Sequence, residues 1–224
     1  EVSKMKYITI AIDGPGAAGK SSVAKEVARR LNYTYIDTGA MYRCLTLYAL
    51  ENQIPLKDEK ALCEAVDHLD IQLTNHGSVY LNQKDVTAAI RNREVTNSVS
   101  LVSSPRCVRE KFVLLQQKLA QKQKGVVMDG RDIGTVVLPF ADLKIFQVAS
   151  SRIRAQRRYE ENLKKGIHTP LSVLEEEIKQ RDYLDENKPF GALKKAKDAI
   201  EIDTSNMSIE EVVETIIKLA KDLI

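Results

Sequence analysis

Tryptophan is absent from this 224-residue chain, and cysteine and histidine occur three times each. Cys44, Cys63 and Cys107 are scattered, without the paired spacing of a metal site or a disulfide framework, so they are expected to be reduced thiols that mostly pack. His68, His76 and His168 lie far apart in no metal-ligand pattern, which argues against a protein-ligated zinc site. Apolar runs are short. None approaches the roughly 18 residues that a bilayer span needs, and the start of the chain lacks the apolar core of a secretory signal. A cytoplasmic protein with no membrane partner is the expectation. Aromatic residues make up 5% of the chain and interleave with no basic stripe, and the net charge is only +3, so no nucleic-acid partner is expected either. Glu1–Lys4, ahead of Met5, are read as an extension without function.

What the chain does have is apolar content, 43%, sufficient for one well-buried unit over residues 5–224. The run "KYITIAID" (Lys6–Asp13) has strand character, and "KSSVAKEVARRL" (Lys20–Leu31) repeats Val23, Val27 and Leu31 at helical spacing. A second short strand, "YTYID", leads into a helix expected to be capped by Thr38. The text then changes. Between about 57 and 102 an acidic helical segment is followed by "IQL", a "TNHG" turn, "VYL" and "DVT", expected to be short antiparallel strands of a small insert. A long helix follows, with Val108, Phe112, Leu115 and Leu119 spaced for one buried face. Further on, "GVVMDG", "LKIFQVA" and "AIEID" read as buried strands separated by helix-forming sequence. Such alternation predicts an α/β fold with a parallel sheet flanked by helices. The expected division is a core of residues 5–56, 103–150 and 188–224, the insert, and a lid over about 151–187.

"GPGAAGKSS" (Gly14–Ser22) supplies the pattern G-x-x-x-x-G-K-[ST] directly after a strand and at the opening of a helix. Glycines let successive backbone N–H groups point inward, the helix N-terminus adds partial positive charge, and Lys20 reaches the β- and γ-phosphates of a nucleoside triphosphate. Gly14, Pro15, Gly16, Ala17, Ala18, Gly19, Lys20, Ser21 and Ser22 are therefore the expected ATP-binding set, with Ser21 ligating Mg²⁺. A motor, a switch GTPase and a kinase all share such a loop. The only N-K pair, Asn187–Lys188, runs on into Pro189 and Phe190, so the guanine-reading element of a switch is missing.

The acceptor side is read from charges in unexpected places. In "DTGAMYR", Arg43 sits a turn inside a helix whose N-terminal dipole disfavours a cation, a conflict that a bound anion would resolve. "MDGRDIGT" ends a strand with Asp129, Arg131 and Asp132, where open parallel sheets place their ligands. In the helix opening after Thr169 and Pro170, the stripe Leu171, Leu174 and Ile178 continues into Arg181 and Asp185, so an apolar face turns into a charged cleft wall. "SSRIRAQRRYEEN" puts Arg154, Arg157 and Arg158 on one face ahead of a flexible "KKGIHT" connection, as in a lid that brings arginines to a transferring phosphoryl group.

With "IAIDGPGAAGKSSVAK", "YIDTGAMYR", "IRNREVTNSVS", "VREK", "VMDGRDIGTVVLPFADLKIF", "IKQRDYLD" and "IDTSNMSIEEV", the chain resembles the bacterial cytidylate kinases of the nucleoside monophosphate kinase group, nearly end to end. That resemblance implies a five-stranded parallel P-loop kinase sheet, a mobile lid and an enlarged monophosphate-binding insert. It implies nucleobase contacts from Ser100, Arg109 and Asp132 with Thr38 nearby, acceptor-phosphate contacts from Arg43 and Arg131, and pentose contacts from Arg181 and Asp185. Tyr42 and Asp129, inside the same motifs, complete the CMP-binding set together with Lys188. Relatives commonly carry Arg in an Asn-Arg pair where this chain has Lys188, which keeps the charge and loses bidentate geometry.

The expected reaction is transfer of the ATP γ-phosphoryl group to CMP or dCMP by a monomeric enzyme, with Mg²⁺ as cofactor and Lys20, Arg131, Arg157 and Arg158 as catalytic groups. No catalytic base is needed, since a phosphate monoester with a second pKa near about 6 is largely ionised at neutral pH. The residues alone specify the acceptor weakly: a UMP or AMP kinase, or a regulatory P-loop switch that binds NTP without transferring phosphate, stays open on their physics.

Overall fold

The computed structural model describes residues 6–224; the N-terminal extension Glu1–Lys4 lies outside them. Five parallel strands form the central sheet in the order β2-β6-β1-β7-β8, comprising β1 (Thr9–Asp13), β2 (Thr34–Asp37), β6 (Val126–Gly130), β7 (Leu143–Val148) and β8 (Ile200–Asp203). A smaller antiparallel sheet contains β3 (Ile71–Leu73), β4 (Val79–Leu81) and β5 (Lys84–Asp85). The last is shorter than "DVT" suggests, ending before Val86 and Thr87.

Strands β1 and β6 sit in the middle of the sheet and are covered on both faces, which is why they read as apolar runs without alternation. On one face, Val23, Val27 and Ala28 of α1 (Lys20–Leu31) and Val213 and Ile216 of α8 (Ile209–Lys221) pack on Ile10, Ile12 and Ile145. On the other, Val113 and Ala120 of α5 (Arg106–Gln121) pack on Ala11, Ile36 and Met128. Helix α2 (Thr38–Glu51) joins α3 (Glu59–Val66), α4 (Arg93–Val102) and α5 through Met41, Tyr42, Leu45, Leu62, Val99, Val102 and Phe112. Helices α6 (Ser151–Lys164) and α7 (Leu171–Glu186) pack against each other beyond β7. None of the helices among the described residues is long and apolar enough to cross a membrane.

Three local expectations change. Helix α2 is capped by Asp37, whose Oδ1 accepts from the Ala40 N–H at 2.9 Å, while the Thr38 hydroxyl donates to the Asp129 carbonyl at 2.7 Å. The buried face of α5 runs through Val108, Arg109, Phe112, Val113, Gln116 and Ala120, and Leu115 is exposed. Counting only apolar residues missed it because two polar side chains occupy the inward register. Finally, Cys63 on α3 and Cys107 on α5, scattered in sequence, are brought side by side with Cα atoms 5.8 Å apart, a separation that a disulfide can span, while Cys44 is a free, buried thiol.

The parallel register sets the C-terminal ends of three strands side by side, with Asp37 of β2 opposite Asp129 of β6, and Asp13 of β1 opposite Gly130. Charged residues at this sheet edge are what positions the site.

Candidate active site

The loop from Gly14 to Gly19 is held from outside by its carbonyls. Lys20 Nζ donates to Pro15 O (2.6 Å), Arg154 Nη1 to Gly16 O (3.1 Å) and Gln147 Nε2 to Ala18 O (2.6 Å). Among the described residues no acceptor takes the N–H groups of Gly16–Gly19, so these donors are left for a ligand. Gly14 has φ +152°, and a Cβ there would overlap the Gln147 carbonyl of β7, so a glycine is required for the close approach. Burial, together with the charges of Arg131 and Arg181, holds the Lys20 ammonium well below the usual lysine range.

Three carboxylates sit below the loop. Asp129 accepts from Ser21 Oγ (3.0 Å) and Tyr35 Oη (2.9 Å), and burial plus the neighbouring Asp37 charge push it up to about 6. Asp37 caps α2 with one oxygen and accepts from Arg91 Nη2 (2.8 Å) with the other. Asp13 accepts from the N–H groups of Ile133 (2.8 Å) and Gly134 (2.7 Å), and burial outweighs those bonds to push it up to about 6. Among the described residues no cluster of three or more His, Cys, Asp or Glu side chains could hold a metal. A hydroxyl bonded to a buried carboxylate short of positive charge fits Mg²⁺, which takes few protein ligands and relies on phosphate oxygens and water. Ser21 would hold such an ion directly, with Asp129 behind it.

A second cleft adjoins the loop. Thr38, Tyr42, Arg43, Ser100, Arg109, Arg131, Asp132, Arg181, Asp185 and Lys188 all line it, so every sequence-expected acceptor residue except Asp129 is brought to one place. Asp185 is its electrostatic centre. It is 2% exposed and accepts from Ser100 Oγ (2.8 Å), Lys188 Nζ (2.9 Å) and Arg131 Nε (2.9 Å), while Arg181 Nε is 3.9 Å away. Burial alone would raise its pKa, but Arg131, Lys188 and Arg181 together hold it well below the usual carboxylate range. The intrahelical Arg181–Asp185 contact is thus the weakest of the set. Lys188, also donating to Ser103 Oγ (2.8 Å), is drawn down to about 8 by burial, against the pull of Asp185.

At the far end, Arg109 is 2% exposed, donating to Asp132 Oδ2 (2.6 Å) and Ser103 O (3.1 Å), with its guanidinium 4.9 Å from the Tyr42 ring centroid. Phe112 backs Tyr42 edge-on at 5.0 Å. Among the described residues Arg43 pairs with no carboxylate: Nη1 donates to Ile90 O (3.0 Å) and Thr96 Oγ1 (2.8 Å), and burial plus Arg181 and Arg91 hold it well below the ordinary arginine range.

The two clefts meet at Gly16. A Cβ built there would stand 3.2 Å from both Arg131 Nη2 and Arg181 Cζ. Arg158 lines the same junction with Ala17, Thr96, Asn97 and Asp182. Arg181 is lowered to about 10 by burial and by Arg131, so the cations here are mutually destabilising. Arg157 turns away from the junction, whereas Arg154 stays beside it through the Gly16 carbonyl. Arg154 is buried in a bidentate pair with Asp182 (2.9 and 2.6 Å), and Arg157 donates to Thr204 O (2.5 Å) beyond β8. Asp13, Asp37, Tyr35, Thr96 and Gln147 were not singled out from sequence. Their partners lie across the sheet or in the insert, and although the quoted motifs contain all five, nothing in those motifs marked them as site residues.

A sequence model described as cytidylate kinase matches residues 10–222. A protein named cytidylate kinase from Bacillus cereus (strain B4264) is 54% identical over 217 residues, covering 96% of this chain and 96% of that protein. One of the same name from Bacillus thuringiensis (strain Al Hakam) is 55% identical over 214 residues, covering 94% and 95%. Among solved structures, the chain resembles a gluconokinase from Sinorhizobium meliloti 1021 (TM-score 0.53, 15% identity, covering 97% of this chain and 96% of that one). It also resembles an uncharacterized protein from Eubacterium ventriosum (TM-score 0.52, 14% identity, covering 97% and 99%). At that identity the structural likeness speaks for the fold alone.

Proposed function

Because the chain belongs to the cytidylate kinase family, its reaction is transfer of the ATP γ-phosphoryl group to CMP or dCMP, giving ADP and CDP or dCDP, and we propose how the residues of its clefts divide that work. One observation carries the division: Arg131 and Arg181 converge on Gly16, next to the Pro15 carbonyl that Lys20 holds, where two phosphate chains must meet, and Lys20 and Arg181 are each pushed toward the neutral form by burial and by the Arg131 charge. Bound phosphates would relieve that repulsion.

The free N–H groups of Gly16–Gly19 and Lys20 take the β- and γ-phosphates of ATP. Mg²⁺, held by Ser21, would supply charge neutralisation between those phosphates. Arg43 and Arg131 take the acceptor phosphate, whose oxygen is already ionised, so no base is required. Arg131, Arg181 and Arg158 stabilise the charge that spreads over the transferring group. Arg157 would have to leave Thr204 to reach that group, and we give it no step. Asp185, backed by Ser100 and Lys188, faces the pentose. Asp132 and Arg109 face the base. A carboxylate accepts from the N4 amino group of cytosine and a guanidinium donates to N3. Uracil presents the opposite pattern, and leaving a buried polar pair unmatched penalises it strongly. Helices α6 and α7 form the lid and residues 57–102 the monophosphate-binding insert. The enzyme works as a monomer on free nucleotides of the cytoplasm.

A coupled assay with ATP and CMP, dCMP, UMP, AMP or GMP tests the acceptor: CMP and dCMP are expected to be the fastest. A preference for UMP or AMP, or ATP binding without transfer to any of them, would overturn the base assignment or the reaction itself.

A pH profile tests Lys188. With its pKa near about 8, the side chain is charged below that value and neutral above it. As pH rises through about 8 the cleft loses a cation and Asp185 loses a counter-charge, so kcat/KM for CMP should fall. Lys188→Arg cannot be deprotonated in this range and should flatten that limb. A limb unchanged in the variant would show that another group titrates.

A further inference from the structure

Gly191 lies just past α7, in the segment Lys188–Gly191, with φ +65°. A Cβ there would come closer than 3.0 Å to Arg109 Nε and to Asp132 Oδ2, with Arg109 Cζ at 2.8 Å. These are not the loose ends of flexible side chains. Arg109 and Asp132 are 2% and 3% exposed, bonded to each other at 2.6 Å, and Arg109 is further tied to Ser103 O and seated against Tyr42. The segment has as little slack. Lys188 is bonded to Ser103 Oγ and Asp185, the Leu193 N–H donates to Asp185 O at 2.8 Å, and Phe190 lies 5.3 Å from the Arg106 guanidinium. Arg109 Nε has no hydrogen-bond partner among the described residues. The bare backbone at 191 therefore acts on the pair by shape rather than by bonding.

We infer that Gly191 is a specificity-determining positioning residue: its backbone seats the Arg109–Asp132 pair, and selection of cytosine over uracil depends on the absence of a side chain there. The inference rests on the assignment of that pair to the base. It extends the pocket wall to a residue outside the phosphate and pentose contacts.

The test measures kcat/KM for CMP and for UMP in Gly191→Ala, with KM for ATP and the thermal midpoint alongside. The CMP-to-UMP ratio should fall about tenfold or more, through KM for CMP rather than kcat, with KM for ATP unchanged. Gly166→Ala is the control. Gly166 has a similar φ of +72°, but a Cβ there would meet nothing within 4 Å, so the variant carries the backbone strain without the overlap and should keep the ratio. Equal losses in both variants would assign the effect to strain and overturn the seating role. If Gly191→Ala keeps the ratio while Arg109→Met loses it, the seating role fails and the base assignment stands. If Arg109→Met also keeps it, the base assignment fails and Gly191 with it. Should alanine at 191 prevent folding, Phe190→Ala, which frees the segment from Arg106, carries the test: a smaller loss in the same direction supports seating, and an unchanged ratio overturns it.

Discussion

Lys20→Ala should lower the rate of phosphoryl transfer from ATP to CMP by about 10²–10³-fold, the scale seen when one preorganised donor to a developing negative charge is removed. The side chain is 5% exposed, so its charge acts on bound phosphates with little screening by solvent. Among the described residues its side chain has one hydrogen bond, to Pro15 O five residues back along the same loop. Because the ammonium is buried, without a carboxylate bonded to it, and already pushed toward neutrality, deleting it removes a desolvation penalty along with that bond. Thermal stability should therefore be kept or slightly raised while turnover collapses. Near-normal turnover would remove the phosphate loop from the mechanism. A collapse of both activity and stability would show that Lys20 holds the loop together.

Asp185→Ala should be the most damaging change in the acceptor cleft, for stability as well as activity. It leaves Arg131, Lys188 and Arg181 facing one another with no carboxylate between them. Uncompensated buried charges of this kind cost about 3–5 kcal/mol, read as a lower urea midpoint with an unchanged slope. Beyond stability, the loss in kcat/KM should be larger for CMP than for dCMP. A charged hydrogen bond to the 2′-hydroxyl is worth about 1.5–3 kcal/mol, and dCMP has none to lose. Equal losses for the two substrates would reduce Asp185 to a counter-ion for the arginines.

The parts of this site legible in sequence share one property: each breaks a local rule. Lys20 and the glycines stand where a strand should pass into a helix without special residues. Arg43 opposes its helix dipole, and Arg181 and Asp185 charge an apolar stripe. In the structure these anomalies line the glycine-rich loop and the cleft that adjoins it. The β-α alternation likewise foretold the parallel sheet, since β1 and β6 are apolar almost throughout. What stayed hidden obeys local rules and depends on pairing across the chain. Asp13 reads as an ordinary strand end, yet its partners lie 120 and 121 residues away. Gln116 interrupts no pattern that counts apolar residues, although it is 1% exposed. Arg157 and Arg158 are neighbours in sequence and would be expected to act together, but a helix turns successive residues by about 100°, and only Arg158 faces the cleft. Ser100 and Arg109 came from family likeness, with no periodicity to mark them.

Asp13 has a further consequence. It directly precedes Gly14 of the glycine-rich loop, and its two oxygens grip the N–H groups of Ile133 and Gly134, directly after Asp132, the residue proposed to face the base. The glycine-rich loop and the segment that carries Asp132 are clamped to one carboxylate at the edge of adjacent strands. On the proposed assignments, the two nucleotides would meet in a jig already aligned, with their tolerance set by strand spacing whatever the outer helices do.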